Sequence, residues 1–397
     1  MHEKSEPISS VASGAAELLL HFLDGKARTK SELAATTGVS RVTVSARIDV
    51  LLRTGLLRYD GTESSSGGRP PARVAFNKDA GFVLAIDLGA TRVTVAIINL
   101  AAEILHVKSA PMSIVTGPES VLDAIFEIAD ELLEAVPREL LFGVGIGLPG
   151  AIEHLSGRPS SAPLMPGWEG FPVRDYAQTR FSVPVLVEND VNILALGEHE
   201  LSWPSTDALV FVKVATGLGG GIVLGGKLQR GGQGVAGDIG HIWMPHNPDL
   251  GWSLKAEHTL GTTASGRGIA AELRARGIDV ADAEAVARLL VAGDQTAADV
   301  VRNAGREIGD VLSMIVNTLN PSIIVIGGSI ARASEHLIAG IRETVYRRAL
   351  PIATQDLQVV LSRGGENAGA LGAATLVLGE ILSLPQLSAR IERSTRE

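Results

Sequence analysis

Two stretches of this chain share one design. FVLAIDLGATRVTVAIINL begins at Phe82, and ALVFVKVATGLGGGIVLGG begins about 125 residues later at Ala208. Each is an apolar run, a small polar turn and a second apolar run. A strand, Gly-turn, strand unit that recurs at this distance restricts the chain to two related lobes. Between and beyond the two units lie FGVGIGLPG, VPVLVENDVN, GVAGDIGH and NPSIIVIGGSI, interleaved with helical patterns such as VLDAIFEIADELLEAV and AADVVRNAGREIGDVLSMIVNTL. Apolar strands that end in Gly or acidic residues and alternate with helices define an α/β body, whose ligands collect beyond the carboxyl ends of the strands. Gly-rich turns let backbone N–H groups close on phosphate oxygens, although glycine also simply suits hairpins.

At 397 residues the chain exceeds what one hydrophobic core supports, so a further domain is expected. The segment before the first lobe supplies it. GAAELLLHFLDG predicts an amphipathic helix ending at Gly25; in TKSELAATTG, Thr29 and Glu32 have capping-box spacing and Gly38 stops the helix. Ser40 is the N-cap of the next helix, with Val44, Ile48 and Leu51 as its apolar stripe and Gly55 as its end. Two short helices across a tight turn make a helix-turn-helix. The runs LLRY and ARVAF then flank DGTESSSGGRPP, in the manner of a wing.

Charge agrees with this division. The whole chain carries −9, yet residues 25–76 hold nine Lys/Arg against four acids, the pattern of a polyanion-binding module on an acidic body. A winged helix-turn-helix would lay the helix from Ser40 in the major groove of double-stranded DNA. Ser40, Arg41, Thr43, Ser45 and Arg47 would then face bases and phosphates, and Arg69 in the wing tip would reach the minor groove.

Taken in order, these motifs resemble the ROK (repressor, open reading frame, kinase) family, of the actin and hexokinase (ribonuclease H-like) fold, from about Gly14 to Leu378. The resemblance implies an actin/hexokinase-like two-lobed α/β body with an N-terminal winged helix-turn-helix. The expected division is 1–77 for the DNA-binding domain, 78–190 for the first lobe and 191–397 for the second, with the last helices returning to the first lobe. It implies that Asp87, Gly89 and Thr91, in a turn with Ala90, together with Thr216, Gly217, Gly219, Gly220 and Gly221, face nucleotide phosphates, and that Gly327 and Gly328 face adenosine. Asn189 would bind a sugar hydroxyl and Asp190 would be the base; Asp238 and His241 would complete the sugar site. Family members with this N-terminal domain are usually repressors of sugar genes.

Several residues depart from the kinase pattern. Ala90 and Ala215 put methyl groups where glycine lets backbone approach phosphate, and Asp238 stands for Glu, one methylene shorter. The family's zinc site pairs the His241 position with three cysteines, and this chain has none. Disulfides and thiolate nucleophiles are excluded on the same ground. His241, His246, Asp249 and His258 could form another metal site, but loop histidines are much commoner than ligands, so no metal is expected. The family's further sugar-binding Glu has Gly261 near its place, with Glu257 displaced. Trp168 in PGW walls the cleft or fills the core.

The expected function is therefore a DNA-binding transcriptional regulator, a repressor of carbohydrate genes, with a sugar or sugar phosphate as effector and Asp190 kept for binding or structure. The rival is an ATP- and Mg²⁺-dependent sugar kinase with Asp190 as base. A homodimer or tetramer on a palindromic operator is expected, with no membrane partner. The start MHEKSEPISS lacks a signal peptide's apolar core, which puts the expected location in the cytoplasm.

Overall fold

The computed structural model describes residues 8–62, 72–160, 165–244 and 258–395. The chain opens with helix α1 (Ile8–Leu20), strand β1 (Arg28–Thr29), α2 (Lys30–Thr37) and α3 (Arg41–Arg53), followed by β2 (Leu57–Thr62) and β3 (Ala72–Phe76), which form a three-stranded sheet in the order β1-β3-β2. Local chemistry sets these bounds. Thr29 accepts from the Glu32 N–H while Glu32 accepts from the Thr29 N–H, and Gly38 ends α2 at φ 69°. Ser40 caps α3 by accepting from the Thr43 N–H, and Val44, Ile48 and Leu51 are fully buried.

The body has two five-stranded sheets. The first has the order β10-β7-β4-β5-β6, built from β4 (Phe82–Leu88), β5 (Arg92–Asn99), β6 (Ile104–Pro111), β7 (Leu141–Leu148) and β10 (Val185–Asn189); β8 (Ala151–Glu153) and β9 (Arg158–Ser160) form a small hairpin beside it. The second has the order β13-β12-β11-β14-β15, built from β11 (Ala208–Val214), β12 (Leu218–Leu224), β13 (Lys227–Leu228), β14 (Ile323–Gly327) and β15 (Gln358–Leu361). In both, the Gly-turn hairpin is antiparallel and the strand beside its first arm is parallel, so the sequence repeat is a structural one.

Helices α4 (Pro118–Leu133) and α5 (Val173–Phe181) cover the outer face of the first sheet, where Trp168 is fully buried and donates its indole N–H to Ile114 O at 3.0 Å. Trp168 is thus core, not cleft wall. The second sheet carries α7 (Leu260–Ala264), α8 (Gly266–Ala275), α9 (Ala283–Val291), the 25-residue α10 (Gln295–Leu319), α11 (Ser329–Ala333), α12 (His336–Arg348) and α13 (Pro351–Thr354).

Three helices tie the parts together. α6 (Asp190–Ser202) starts where β10 ends and packs on β11 and β12, while α14 (Ala368–Ile381) crosses α6 and lies on the first sheet. The crossing is backbone to backbone. A Cβ at Gly197 would lie 1.8 Å from Ala368 O, and one at Gly372 would lie 1.7 Å from Ile193 O. α15 (Leu384–Ser394) then packs its Leu387 and Ile391 against α1, so one continuous core joins the N-terminal head to the first lobe. Among the described residues no single helix is long and apolar enough to cross a membrane.

Candidate functional site

The strand ends and the α6 start gather at the cleft between the sheets. Asn189 caps α6: its Oδ1 accepts from the N–H groups of Val191 and Asn192 at 2.8 and 3.3 Å, and its Nδ2 donates to Gly150 O at 2.7 Å. Its amide therefore holds the loop after β7 onto the helix. The Asp190 Oδ2 accepts from Lys213 Nζ at 2.6 Å, with the carboxylate side chain only 7% exposed. Burial alone would depress the Lys213 ammonium, but Asp190 and Asp87 outweigh it and hold it above the usual lysine range. Asp87, at the end of β4, feels the opposite balance: desolvation raises it, Lys213 lowers it, and it stands at about 6. Next to this group, Glu188 is buried, pairs with Arg230 at 2.6 Å and accepts from Asn192 Nδ2.

The glycine turns lie at the sheet ends. In the first, the Gly89 N–H is already donated to Arg92 O at 2.8 Å, closing the hairpin, and Thr91 is exposed. In the second, Gly217 O accepts from the Ala215 N–H, Thr216 is half-buried, and Gly328 at φ 99° lies against the Val214 backbone. Gly219 and Gly221 face α6 while Gly220 faces Gly237, so Asn189 and Asp190 approach the start of β12 from one face, and the segment bearing Asp238 and His241 approaches from the other. His241 Nδ1 and Asp238 Oδ2 are 2.7 Å apart and well exposed. Asp238 and His241 thus form a hydrogen-bonded pair at the surface. Among the described residues no three His, Asp or Glu side chains converge on a metal position; His246, Asp249 and Glu257 lie outside them, and Gly261 abuts the Gly240 backbone.

Sequence reading missed three charged side chains that are paired inside the body. Lys213 is a lone cation in the apolar strand ALVFVKV, and a lysine in a buried strand requires a counter-charge. Glu188 in VLVEN carries the same signal. Glu198, fully buried in α6, accepts from Ser362 Oγ and the N–H groups of Arg363 and Gly364, which clamps the loop after β15 onto the helix.

On the head, the exposed face of α3 presents Arg41, Val42, Ser45, Ala46 and Asp49, with Lys30 beside it donating to Ser45 Oγ at 2.7 Å. Val42 is 81% exposed, an apolar group suited to a thymine methyl. Ser40 and Thr43 bond to each other at the helix start. Arg47 corrects the sequence reading: it turns back to α1, its guanidinium lying over Gly14 and 3.7 Å from Glu17, because position 47 falls beside the buried 44/48/51 stripe. Arg69 lies outside the described residues.

The ROK family model matches residues 83–380. The chain is 27% identical to the xylose repressor of Caldicellulosiruptor bescii over 385 residues, 93% of this chain and 96% of that protein. It is 30% identical to the glucokinase of Halalkalibacterium halodurans over 310 residues, 74% of this chain and 93% of that one. The crystal structure of a ROK family transcriptional regulator, a homologue of the E. coli MLC protein, superposes with a TM-score of 0.79 at 24% identity, covering 97% of this chain and all of that one.

Proposed function

The chain belongs to the ROK family, and from that premise we propose that it is a DNA-binding transcriptional regulator, a repressor of carbohydrate-related genes with a sugar or sugar phosphate as effector. One observation carries this above others: an outward α3 face sits on a head whose α1 shares a core with α15, at the far end of the helix pair that begins beside Asp87. Effector binding near Asn189, Asp190, Asp238 and His241 changes the angle between the lobes. α14 touches Asp87 at its start and leads into α15, so the change reaches α1 and α3. In a dimer on a palindromic operator, the two heads then lose their half-site spacing. The effector must favour one lobe angle over the other for any of this to follow. Acting on DNA places the protein in the cytoplasm.

Similarity to glucokinases supports a second reading, an ATP-dependent sugar kinase with Asp190 as base. Against it stand Asp190 tied to Lys213 and a first turn whose Gly89 N–H is already committed. A general base must be free to take the substrate proton. A mobility-shift assay of the full chain on its own upstream DNA, with and without a sugar and sugar-phosphate panel, separates the two. Retardation released by one compound is expected. Sugar-dependent ATP consumption that Asp190→Asn abolishes would make the chain a kinase instead.

A further inference from the structure

We infer that the Lys213 ammonium is an internal cation that takes the place of a divalent metal between the Asp87 and Asp190 carboxylates. In this fold class, phosphoryl transfer uses Mg²⁺ beside the phosphates, and carboxylates at the cleft floor are the hard oxygen donors such an ion takes. Here the donor set does not fit the ion, because its space and its charge are already used.

The strand geometry aims Lys213 there. On β11 it lies in register with Gly219 of β12 and Gly327 of β14, two residues without side chains, so its own is the one side chain at that level of the three strands. Its Nζ ends 2.6 Å from Asp190 Oδ2. Asp87, at the end of β4, is backed by α14, which lies so close that a Cβ at Gly369 would be 2.0 Å from Asp87 Oδ2. Asp87 feels both Lys213 and Asp190, and Arg332 adds a second positive charge felt by Lys213. A dication entering this group would meet the ammonium, and to reach the Asp190 oxygen at about 2.1 Å it would have to displace it. Asp190 is thereby kept as an ion-pair partner, and the two sheets and α6 are joined at one point through β4, β11 and the α6 start. The cleft takes its ligand without metal.

The test uses the full-length protein and magnesium chloride, with sodium chloride at equal ionic strength as control. Wild type is expected to show no saturable Mg²⁺ binding by titration calorimetry and no specific shift in melting temperature. Lys213→Met leaves two carboxylates facing each other, and 10 mM Mg²⁺ should raise its melting temperature by about 5 °C. Lys213→Met/Asp190→Asn should lose that response. A saturable Mg²⁺ site in wild type that Asp87→Asn removes would overturn the inference, as would a folded Lys213→Met chain indifferent to Mg²⁺. If Lys213→Met does not fold, a folded double variant supports the charge argument and an unfolded one defeats it. DNA retardation is scored separately, so failure here leaves the regulator proposal standing, and the reverse.

Discussion

The head and the cleft dispose their charges in opposite ways. On α3, Arg41 projects into solvent with Ser45 and Val42 beside it, while Lys30 lies 3.8 Å from Asp49 and Arg28 pairs with Asp24. In the cleft, Asp190 is met by Lys213 and Glu188 by Arg230. A cation turned outward, as Arg41 is, suits a polyanion partner with its phosphates. Charge neutralised from within suits a site that binds and changes shape without building a transition state.

The largest test of that contrast is Arg41→Glu, which removes a contact on the exposed face and adds repulsion to phosphate. Operator affinity should fall about a thousandfold, and Arg41→Ala should reduce the salt dependence of binding by about one ion. Arg47→Ala, on the same helix but turned to α1, should change affinity by less than about threefold and act instead on stability. Equal losses from Arg41→Ala and Arg47→Ala in fluorescence-anisotropy titrations would erase the distinction between the two faces of α3.

In the body the corresponding change is Glu198→Gln. Three donors from residues 362–364 converge on this buried carboxylate, and an amide leaves at least one of them facing another donor. Removing the charge from such a group should cost about 3 kcal/mol in urea unfolding. A cost below about 1 kcal/mol would mean that the loop after β15 is not held by this clamp.

The same contrast explains how much the sequence discloses. Every signal of the head is local: the capping box spans Thr29 to Glu32, the α3 stripe eight residues, and the turn glycine sits between them. The order of the lobes is legible for a related reason, since strand, Gly-turn, strand is a contiguous pattern. The charged contacts of the body are not contiguous. Lys213 and Asp190 are 23 positions apart, and Glu198 meets Ser362 from 164 positions away, so spacing rules are silent on them. Their trace is only a charge where an apolar residue belongs. Arg47 fails in the other direction: residue type marked it for DNA, while its angle on the helix turned it to Gly14 and Glu17.

A smaller effect of opposite sign is expected at Asp87. Its folded-state value of about 6 lies above the ordinary 3.8, so well below pH 3.8 the carboxyl is protonated in both states and costs nothing there. As pH rises through 6 the folded chain must hold the charge, and the stability given by the raised value is lost. Asp87→Asn should therefore stabilise the protein at pH 7.5 by about 2 kcal/mol, with the gain shrinking as pH falls toward 4. A calorimetric series from pH 4 to 8 in which the variant and wild type run parallel would show that Asp87 is not held in this balance.

The smallest effect tests whether head and body are one cooperative unit. Thr29→Ala removes the capping-box acceptor of α2, worth about 1 kcal/mol. Ala12, Leu19, Leu387 and Ile391 belong to one core with Val83 and Ala85 of the first sheet, so the head has no separate surface along which to melt. The variant should lower the single melting transition by about 2 °C without splitting it. Two transitions, the lower one moving alone, would mean that α1 and α15 part before the body unfolds. A cleft ligand could then not move α3 through α14 and α15, because the link would yield before it transmitted the change.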